Sequence, residues 1–522
     1  MVVSLRTDAE APVIKEEIPH DHLFRVTGLS SNNLEKHDQK AADFETAIAA
    51  TGCGRFNVLL MLCTLPAFWS AVSVTSSVTY IFTRAHCDLN LSMVDMGTIN
   101  GITYAGMMTS ALIWGFLSDT LGRRHIMSLG FLCSGLVELA AATSQTFFML
   151  LVTRFASGFL FNGPCAVLIS YLAEVHRTEL RARVLLLTSL FYTVANVTLP
   201  LLAWAVLTQD WHFRLHKHIV FHNWNIFLLI TALVPLLTGA AFLSLPESPK
   251  FLMSRGRNQE ALDIFKRIYS MNTGNPPEHY PVTCLVEEKS VAQGRGLTAL
   301  RGGLAQLLPL FRPPHIKWLL LVCIIHMGCM FGSNTIRLWY PQLAAMLAGG
   351  GGLCAALAPV EVTEEPCTPL AAGLDTYLHS SIVGAGSLLT YSLGGMFINR
   401  CGKKTVVGVC GACSGIVALT MPLLARGAVA AAAAAATALA FTALFGAALS
   451  TVAVDLFPTP LRVMAMATFL MSGRFGTIAG AVTFPALVVY GCMPPFITIG
   501  TVLAACGLAC YLLPNTTLKK LE

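Results

Sequence analysis

The stretch Gly115-Phe116-Leu117-Ser118-Asp119-Thr120-Leu121-Gly122-Arg123-Arg124 recurs in pattern 280 residues later, as Gly395-Met396-Phe397-Ile398-Asn399-Arg400-Cys401-Gly402-Lys403-Lys404. Both stretches follow G-x-x-x-[Asp/Asn]-x-x-G with two basic residues after it, and each lies between two apolar runs. A second pair of similar segments follows. Residues 174–181 and 455–462 each begin with an acid and carry Thr, Leu and Arg four, six and seven places later. The second motif begins 55 residues after Asp119 in one copy and 56 residues after Asn399 in the other. Two motifs in one order at nearly one spacing predict a duplicated membrane unit.

The composition is typical of a chain that lies in lipid. Charged residues make up 12% of it, against about 25% in soluble domains, and the mean hydropathy is +0.65. Twelve apolar stretches are each long enough to cross a hydrocarbon core of about 30 Å, and they lack the polar faces of soluble helices. Backbone groups in hydrocarbon have no water to bond, so we predict that all twelve are helices. The predicted spans are 56–82, 95–117, 126–143, 147–170, 185–207, 223–245, 316–341, 376–398, 405–425, 428–453, 464–489 and 492–513.

The basic residues predict the orientation of these spans. If both termini are cytoplasmic, 27 of the 34 Lys and Arg residues lie in inner loops and tails, and four lie in outer loops. An asymmetry of this size favours that orientation. The net charge of +6 reflects this excess of basic residues in the inner loops. The sequence has no basic patch with interleaved aromatics, so it does not predict a nucleic-acid partner. The predicted regions are a cytoplasmic tail at 1–55, a six-helix bundle at 56–245, a cytoplasmic central loop at 246–315, a second six-helix bundle at 316–513 and a cytoplasmic tail at 514–522.

The cysteines leave the disulfide pairing open. Of sixteen, most lie inside predicted spans, where they serve as small apolar residues. Cys87, Cys354 and Cys367 fall in predicted outer loops, which face an oxidising space if the protein reaches the cell surface. A bridge between Cys354 and Cys367 is one possibility, and spacing alone does not decide for or against it. No His and Cys residues have the spacing of metal ligands, so we predict no metal centre and no cofactor.

Charged residues cluster at the inner ends of the predicted helices. An acid there faces the partial negative charge of its own helix end, so it needs a basic partner. We predict that Arg123 and Arg181 meet Glu174 and Glu247, and that the basic residues of the second copy meet Asp455. Such pairs would join the two bundles on the inner side and act in gating; the alternative is a set of surface charges that only fixes topology. The full set is Asp119, Arg123, Arg124, Glu174, Arg181, Glu247, Asn399, Arg400, Lys403, Asp455 and Arg462.

Four ionisable residues lie inside the spans, and a charge there is costly enough to be a functional candidate. Arg474 is about 18 Å along its helix from Arg462, near the membrane midplane, so we predict that it meets an anionic group. The alternative is that it pairs with Glu138 or caps a broken helix. Glu138 is the one carboxylate well inside a span, and it gives little support for proton coupling. The remaining candidates for the substrate site share the end of the seventh span, where an aromatic belt is the alternative: Asn334, Arg337, Trp339 and Tyr340.

Three features resemble the major facilitator superfamily: the Gly115–Arg124 turn, Arg154 with Gly158 and Gly163, and the stretch Pro246-Glu247-Ser248-Pro249-Lys250-Phe251-Leu252, which is similar to the sugar-transporter signature P-E-S-P-R. Within the superfamily the chain resembles the synaptic vesicle glycoprotein 2 family, above all its insect members, and the related organic ion transporters. The segments that carry this second resemblance are Asp43-Phe44-Glu45-Thr46-Ala47, Cys87-Asp88-Leu89-Asn90-Leu91, Asn334-Thr335-Ile336-Arg337-Leu338-Trp339 and Asp455-Leu456-Phe457-Pro458.

The resemblance implies an all-α integral membrane fold of twelve helices in two pseudo-symmetric six-helix bundles. It implies secondary transport of a small polar or anionic organic solute, by uniport or exchange. The alternative is a transport-silent vesicle protein that acts in trafficking or as a receptor. Arg154 matches an Arg linked to coupling in the superfamily, whereas Ala71 and Val74 replace two acids of the vertebrate members. We expect a monomer in a plasma or vesicle membrane, and no enzyme, since no Walker loop or nucleophile elbow is present.

Overall fold

The protein is described by a computed structural model that covers residues 41–216, 219–287, 308–348, 351–357, 367, 370 and 372–514. Most of the predicted tail at 1–55, part of the central loop and the end of the chain from 515 lie outside the described residues. Within them, long helices occupy the places of the twelve predicted spans. The predicted helical membrane fold is therefore confirmed.

The first half of the chain contains six long helices, preceded by one short helix. Each long helix lies on a predicted span. Four of the six contain the whole span and extend beyond it, because an apolar pattern ends at the hydrocarbon boundary whereas the helix continues into the polar region; the other two end one and three residues before their spans do. The elements are α1 (Phe44–Ala50), α2 (Arg55–Asp88), α3 (Met93–Leu121), α4 (Arg123–Ala142), α5 (Phe147–Glu174), α6 (Thr178–Leu207) and α7 (Asn223–Phe242). Between α6 and α7 lies an antiparallel hairpin that the sequence did not predict, with strands β1 (His212–His216) and β2 (Ile219–His222).

The connection between the halves carries two helices, α8 (Pro249–Ser254) and α9 (Asn258–Thr273). Together with α1 they form a small apolar cluster in which Phe44, Phe265 and Tyr280 are buried. Asp43 caps α1 by accepting a hydrogen bond from the backbone N–H of Thr46 at 3.1 Å. Hydrogen bonding from Thr46 also lowers the pKa of the Asp43 carboxyl below its usual value.

The second half repeats the six-helix arrangement. Its elements are α10 (His315–Leu347), α11 (Leu353–Ala356), α12 (Leu374–Cys401), α13 (Lys403–Leu424), α14 (Ala428–Leu456), α15 (Thr459–Val488) and α16 (Met493–Ala509). Among the described residues, nine helical segments are long and apolar enough to cross a membrane on length and composition. The other three long helices, α3, α12 and α15, have 29, 28 and 30 residues and lie where spans were predicted.

The two repeated motifs form equivalent turns. Gly122 links α3 to α4 with a φ of 89°, and Gly402 links α12 to α13 with a φ of 82°. Residues other than glycine rarely adopt positive φ, which explains why each copy of the motif needs a glycine before its basic pair. We call the end of the molecule that carries Gly122 and Gly402 the turn side. The opposite end, which carries the hairpin and both disulfide bonds, is the disulfide side.

The halves pack against each other through three helix pairs: α2 with α10, α3 with α15, and α6 with α12. Two of these contacts depend on backbone approach at glycine. A Cβ on Gly97 of α3 would lie 2.5 Å from the carbonyl oxygen of Ala481 in α15, and a Cβ on Gly384 of α12 would lie 2.7 Å from that of Asn196 in α6. These smooth surfaces let the bundles approach closely without interlocking side chains.

The bridge between Cys354 and Cys367, which the sequence left open, is not the one that forms. Cys87 at the end of α2 pairs with Cys367, and Cys354 pairs with Cys492 just before α16. Cys492 was missed because it lies at the boundary of a predicted span and was counted as an apolar residue. Only the packing of α2 and α16 against the segment between α10 and α12 brings these pairs together. The first bridge joins the two halves, and the second lies within the second half.

Proteolysis of the non-reduced protein, followed by mass spectrometry, tests this pairing. We expect cross-linked peptides that contain Cys87 with Cys367 and Cys354 with Cys492, because their Cα atoms lie 5.5 and 5.1 Å apart, within the usual range for a disulfide. The same digest after reduction serves as the control. A peptide pair that joins Cys354 to Cys367 would contradict the structure.

Candidate functional site

A cavity of about 360 Å³ lies between the two halves. Helices α2 and α6 of the first half and α10, α12, α14 and α15 of the second half contribute to its wall. Among its described lining residues, Arg337 is the one side chain with a permanent charge, and none is a carboxylate. The polar residues around it are Tyr80, Tyr192, Thr193, Asn196, His326, Ser333, Asn334, Tyr340, Ser380, Thr442 and Ser450.

Arg337 lies part-way along α10, and its guanidinium bonds neutral groups on both halves. It donates to Tyr104 Oη of α3 at 2.7 Å and to Ser76 Oγ of α2. Within its own half it donates to Asn334 Oδ1 from Nε at 3.1 Å and from Nη2 at 2.9 Å. Asn334 in turn donates from Nδ2 to Thr477 Oγ1 at 2.9 Å, which directs its oxygen towards Arg337. Arg337 is therefore oriented by four hydrogen bonds whose acceptors are all uncharged.

The candidates predicted near Arg337 divide into two groups. Asn334, Arg337 and Tyr340 line the cavity. Trp339 does not; its ring stacks on Phe484 with centroids 5.1 Å apart, inside the apolar core. Trp339 and Tyr340 are consecutive residues of a helix, about 100° apart around its axis, so one faces the cavity and the other the core.

Other lining residues were missed because the search of the sequence considered ionisable groups. Tyr192 and Asn196 are one helical turn apart on α6, Ser380 lies on α12, and Thr442 lies on α14. Their signal is weak, since a single uncharged polar residue is common in a membrane helix. Asn196 could have been noticed, because an amide is rarer in hydrocarbon than a hydroxyl that bonds its own helix.

The cavity is closed towards the disulfide side by tyrosines. Tyr80 of α2 and Tyr340 of α10 are 8% and 2% exposed, and Tyr377 of α12 is 2% exposed. The rings of Tyr80 and Tyr377 lie 6.5 Å apart across the boundary between the halves. Leu470, at the other end of the cavity, is 55% exposed. The described wall is thus tightly packed at one end and looser at the other.

Arg474 lines a separate cavity of about 270 Å³ between α3, α5 and α15. Its guanidinium donates to the carbonyl oxygen of Met107 at 3.0 Å and to Asn162 Oδ1, both in the first half. Leu470 contributes to the walls of both cavities. Arg474 therefore bridges the halves as Arg337 does, but it does not face the larger cavity. In the described residues its partners do not include Glu138.

Glu138 pairs with Arg154. The Oε2–Nη1 distance is 2.7 Å, and the two side chains are 2% and 0% exposed. Arg154 also donates to the carbonyl oxygen of Val74 in α2. Neither residue lines a described cavity. The pair joins α4, α5 and α2 inside the first half.

The turn-side charges form contacts within each half. Arg123 lies 3.6 Å from Glu174, as predicted. Glu247 accepts hydrogen bonds from the backbone N–H groups of Arg123 and Arg124 at 2.8 and 3.1 Å. An acid at these free N–H groups caps α4 and offsets the positive end of its dipole. The side chain of Asp119 lies outside the described residues, and so does that of Asn399.

The remaining charges correct the prediction in two ways. Arg181 pairs with Glu45 of α1 at 2.9 Å, not with Glu174 or Glu247. In the second half Lys403 pairs with Asp455, Arg400 is exposed and Arg462 is half-buried. Each described turn-side pair lies within one half, so the prediction that these pairs join the bundles is wrong for this conformation. Glu45 of α1 and Glu247, two residues before α8, are the partners that the first half itself supplies.

Comparison with known proteins gives three findings. The family model of the Major Facilitator Superfamily matches residues 58–360. Synaptic vesicle glycoprotein 2C of Mus musculus is 26% identical over 335 residues, which are 60% of this chain and 46% of that protein. Synaptic vesicle glycoprotein 2B of Homo sapiens is 24% identical over 343 residues, 62% of this chain and 50% of that protein. The chain spans about half the length of the curated relatives it matches.

Solved structures share the fold. The inward open conformation of the xylose transporter XylE from E. coli has a TM-score of 0.63 at 15% identity, over 89% of this chain and 97% of that one. The nucleoside transporter NupG has a TM-score of 0.60 at 13% identity, over 88% and 98%. Matches at this identity bear on the fold alone, and the family model covers more than half of the sequence. This multi-pass membrane protein therefore belongs to the major facilitator superfamily, whose members are transporters and not enzymes.

Proposed function

We propose that the protein is an alternating-access secondary transporter of a small organic anion, by uniport or exchange. The observation that carries the proposal is the guanidinium of Arg337 in a cavity between two halves, where its hydrogen-bond partners among the described residues are all neutral. A positive charge in a membrane interior is costly, and a bound anion offsets part of that cost. Two parallel N–H groups of an Arg also match the two oxygens of a carboxylate or phosphate.

The size of the cavity supports a small solute. At about 360 Å³ it lies at the lower end of the range for ligand sites. Tyr192, Asn196 and Ser380 offer hydroxyl and amide groups to hydroxyls or carbonyls of the solute. Met330 and Leu439 supply apolar surface. A short carboxylic or phosphorylated compound with further polar groups suits this lining.

The bonds of Arg337 suggest how the solute couples to opening. Its bonds to Ser76 and Tyr104 link the halves on the side that the tyrosines close. An anion that takes over those N–H groups replaces bonds between the halves with bonds to the solute. A ligand shifts a conformational equilibrium only by its difference in affinity for the two states. A solute that competes with Ser76 and Tyr104 for the N–H groups of Arg337 binds more tightly to the state in which those two bonds are broken, so it favours opening.

Arg474 has a different role in this proposal. It bonds the first half through a backbone carbonyl and an amide, at about the midplane. We infer that it holds α15 against α3 and α5 while the solute is bound at Arg337. The sequence predicted that Arg474 meets an anionic group, so it is tested below as a second candidate for the anion site.

The buried Glu138–Arg154 pair supports transport without proton coupling. A carboxyl that takes part in proton exchange needs a route to water, whereas both of these side chains are nearly inaccessible and lie outside the described cavities. We propose that the pair stabilises the first half. We also propose that the turn side is cytoplasmic and the protein a monomer, in a plasma or vesicle membrane.

Replacement of Arg337 tests the anion site. We expect Arg337→Ala to lower affinity for an anionic solute by about 10- to 100-fold, the effect of losing charge-assisted hydrogen bonds. The affinity of Arg337→Lys should fall between those of Arg337→Ala and the wild type, because Lys keeps the positive charge but lacks the two parallel N–H groups of a guanidinium. The measurement is a thermal-shift screen of purified protein with monocarboxylates, dicarboxylates and sugar phosphates, each beside its uncharged amide or alcohol, followed by proteoliposome uptake of the best anion.

The matched comparison for this test is Arg474, the other cation that bridges the halves. Arg474→Ala and Arg474→Asp should leave binding of the anion within a few-fold of wild type and lower the uptake rate. Loss of binding in the Arg474 variants with normal binding in Arg337→Ala would place the site in the smaller cavity. If the wild-type protein neither binds nor takes up any of the solutes, the transport-silent alternative is favoured.

Glu138→Gln tests the absence of proton coupling. Breaking a buried ion pair leaves Arg154 uncompensated, which costs about 3–5 kcal/mol in soluble proteins, so we expect a clear fall in thermal stability. The dependence of uptake on pH should keep its shape, with a lower rate at all pH values. Solute exchange and net uptake are measured with and without an imposed proton gradient. A pH dependence that disappears in the variant would assign Glu138 to coupling.

Arg123→Ala tests the role of the turn-side charges. The variant loses the contact with Glu174, and we expect a lower uptake rate with unchanged affinity, because Arg123 lies far from the larger cavity. Exposed Arg400 supplies the control, since Arg400→Ala removes a turn-side cation from the second half and should have little effect. Loss of binding in Arg123→Ala, with normal turnover of any solute still bound, would make Arg123 a ligand.

A further inference from the structure

The Cys87–Cys367 disulfide is a covalent connection between the halves at the side that the tyrosines close. Cys87 ends α2 of the first half, and Cys367 precedes α12 of the second half. A backbone hydrogen bond from Leu370 to the carbonyl oxygen of Thr83 runs beside it at 3.2 Å. The two halves are therefore covalently joined at this point while the bond is intact.

His86 lies directly beside this disulfide. Its Nδ1 is 2.9 Å from the carbonyl oxygen of Phe82, and its Nε2 is 3.4 Å from Cys87 Sγ. A carbonyl oxygen only accepts hydrogen bonds, so Nδ1 carries the proton in the neutral ring and the lone pair of Nε2 faces the sulfur atoms. The ligand atoms of His86, Cys87 and Cys367 all lie within 4.8 Å of one another.

Two thiolates and an imidazole nitrogen are ligands that Zn²⁺ prefers, and tetrahedral sites with three protein ligands and a water are common. The hydrogen bond from His86 to Phe82 is the outer contact that usually fixes a metal-binding imidazole. Cys367 is exposed, and His86 and Cys87 are half-buried. Solvent, a reductant and a metal ion can therefore reach the cluster.

We propose that reduction of the Cys87–Cys367 disulfide creates a zinc site formed by Cys87, Cys367 and His86 Nε2. A small dithiol supplies the electrons: its two sulfurs form a disulfide while the protein S–S bond breaks and both cysteines become thiols. Binding of Zn²⁺ then releases the two thiol protons, and water takes the fourth position. The two thiolate ligands come from opposite halves, so the metal replaces a covalent bridge with a reversible one.

The consequence for transport rests on the proposed function. Both the disulfide and the zinc form join Cys87 of α2 to Cys367 of the second half, whereas the reduced form without metal has no such link. The reduced, metal-free protein therefore transports faster than either linked form. Zinc slows it again, and a chelator restores the rate.

Metal binding is tested first, without reference to transport. Full-length protein in lipid nanodiscs is reduced with a dithiol, desalted without exposure to air and titrated with Co²⁺ and then Zn²⁺. We expect one Co²⁺ with the thiolate charge-transfer and visible bands of a tetrahedral site, displaced by Zn²⁺. Oxidised wild type, reduced Cys87→Ser and reduced Cys367→Ser should lack these bands, and reduced His86→Ala should bind at least tenfold more weakly.

Controls separate this cluster from other ligands. Cys53→Ser and His279→Ala remove an exposed cysteine and an exposed histidine outside the cluster and should leave the bands unchanged. The Cys354→Ser/Cys492→Ser double variant lacks the other disulfide and should also keep them. Equal spectra in reduced wild type and reduced Cys87→Ser would overturn the site. Thermal unfolding of each oxidised variant shows whether it is folded.

Uptake of the anion found in the solute screen forms the second arm. Zinc at concentrations that fill the site should slow reduced wild type several-fold and leave reduced Cys367→Ser unaffected. Normal metal binding with no effect on uptake would overturn the proposed link between the site and opening while the site itself stands. Absence of transport under all conditions would contradict the proposed function and leave the spectroscopic result intact.

Discussion

Arg337 carries a positive charge into the boundary between the two halves, where its acceptors are two hydroxyls and an amide. Hydrogen bonds orient the charge, but no carboxylate among the described residues of the cavity neutralises it. The same guanidinium links α10 to α2 and α3, so the electrostatics of the cavity and the contact between the halves depend on one side chain. In the proposed cycle, a solute that binds Arg337 therefore also weakens the contact that closes the disulfide side.

The fold was predictable because hydrocarbon permits few solutions. Twelve apolar stretches had to be helices, and the repeated turn at Gly122 and Gly402 fixed the relation between the two copies. The helix ends were less predictable. Helix α2 continues to Asp88, six residues beyond its predicted span, since hydrogen bonding along a helix does not stop where the side chains become polar. The first strand of the hairpin between α6 and α7 does alternate, with Phe213 and Leu215 between polar residues, but a run of five residues gave no signal to a prediction based on membrane-spanning length.

The site was predictable in part. Rarity identified Arg337, Arg474, Arg154 and Glu138, because few charges lie in the spans. Their partners were not predictable, since a guanidinium reaches several neighbouring helices and the sequence does not say which face of each helix is buried. The sequence therefore did not show that Glu138 pairs with Arg154 and not with Arg474. The disulfide pairing was unpredictable for the same reason: spacing left Cys354 with Cys367 open, whereas spatial proximity selects partners 280 and 138 residues away.

The contacts between the halves differ in what is lost when they separate. Close glycine contacts such as Gly97 with Ala481 lose dispersion alone, and a small rotation of one bundle costs little there. The hydrogen bonds of Arg337 and Arg474 are charge-assisted and need a replacement acceptor, which an anion provides at Arg337. A bound solute cannot replace the Cys87–Cys367 bond, so in the proposed cycle this bond restrains the disulfide side whether or not the cavity is occupied. In the proposal, the disulfide side is therefore controlled in two independent ways: bound solute replaces the hydrogen bonds of Arg337, and reduction breaks the Cys87–Cys367 bond.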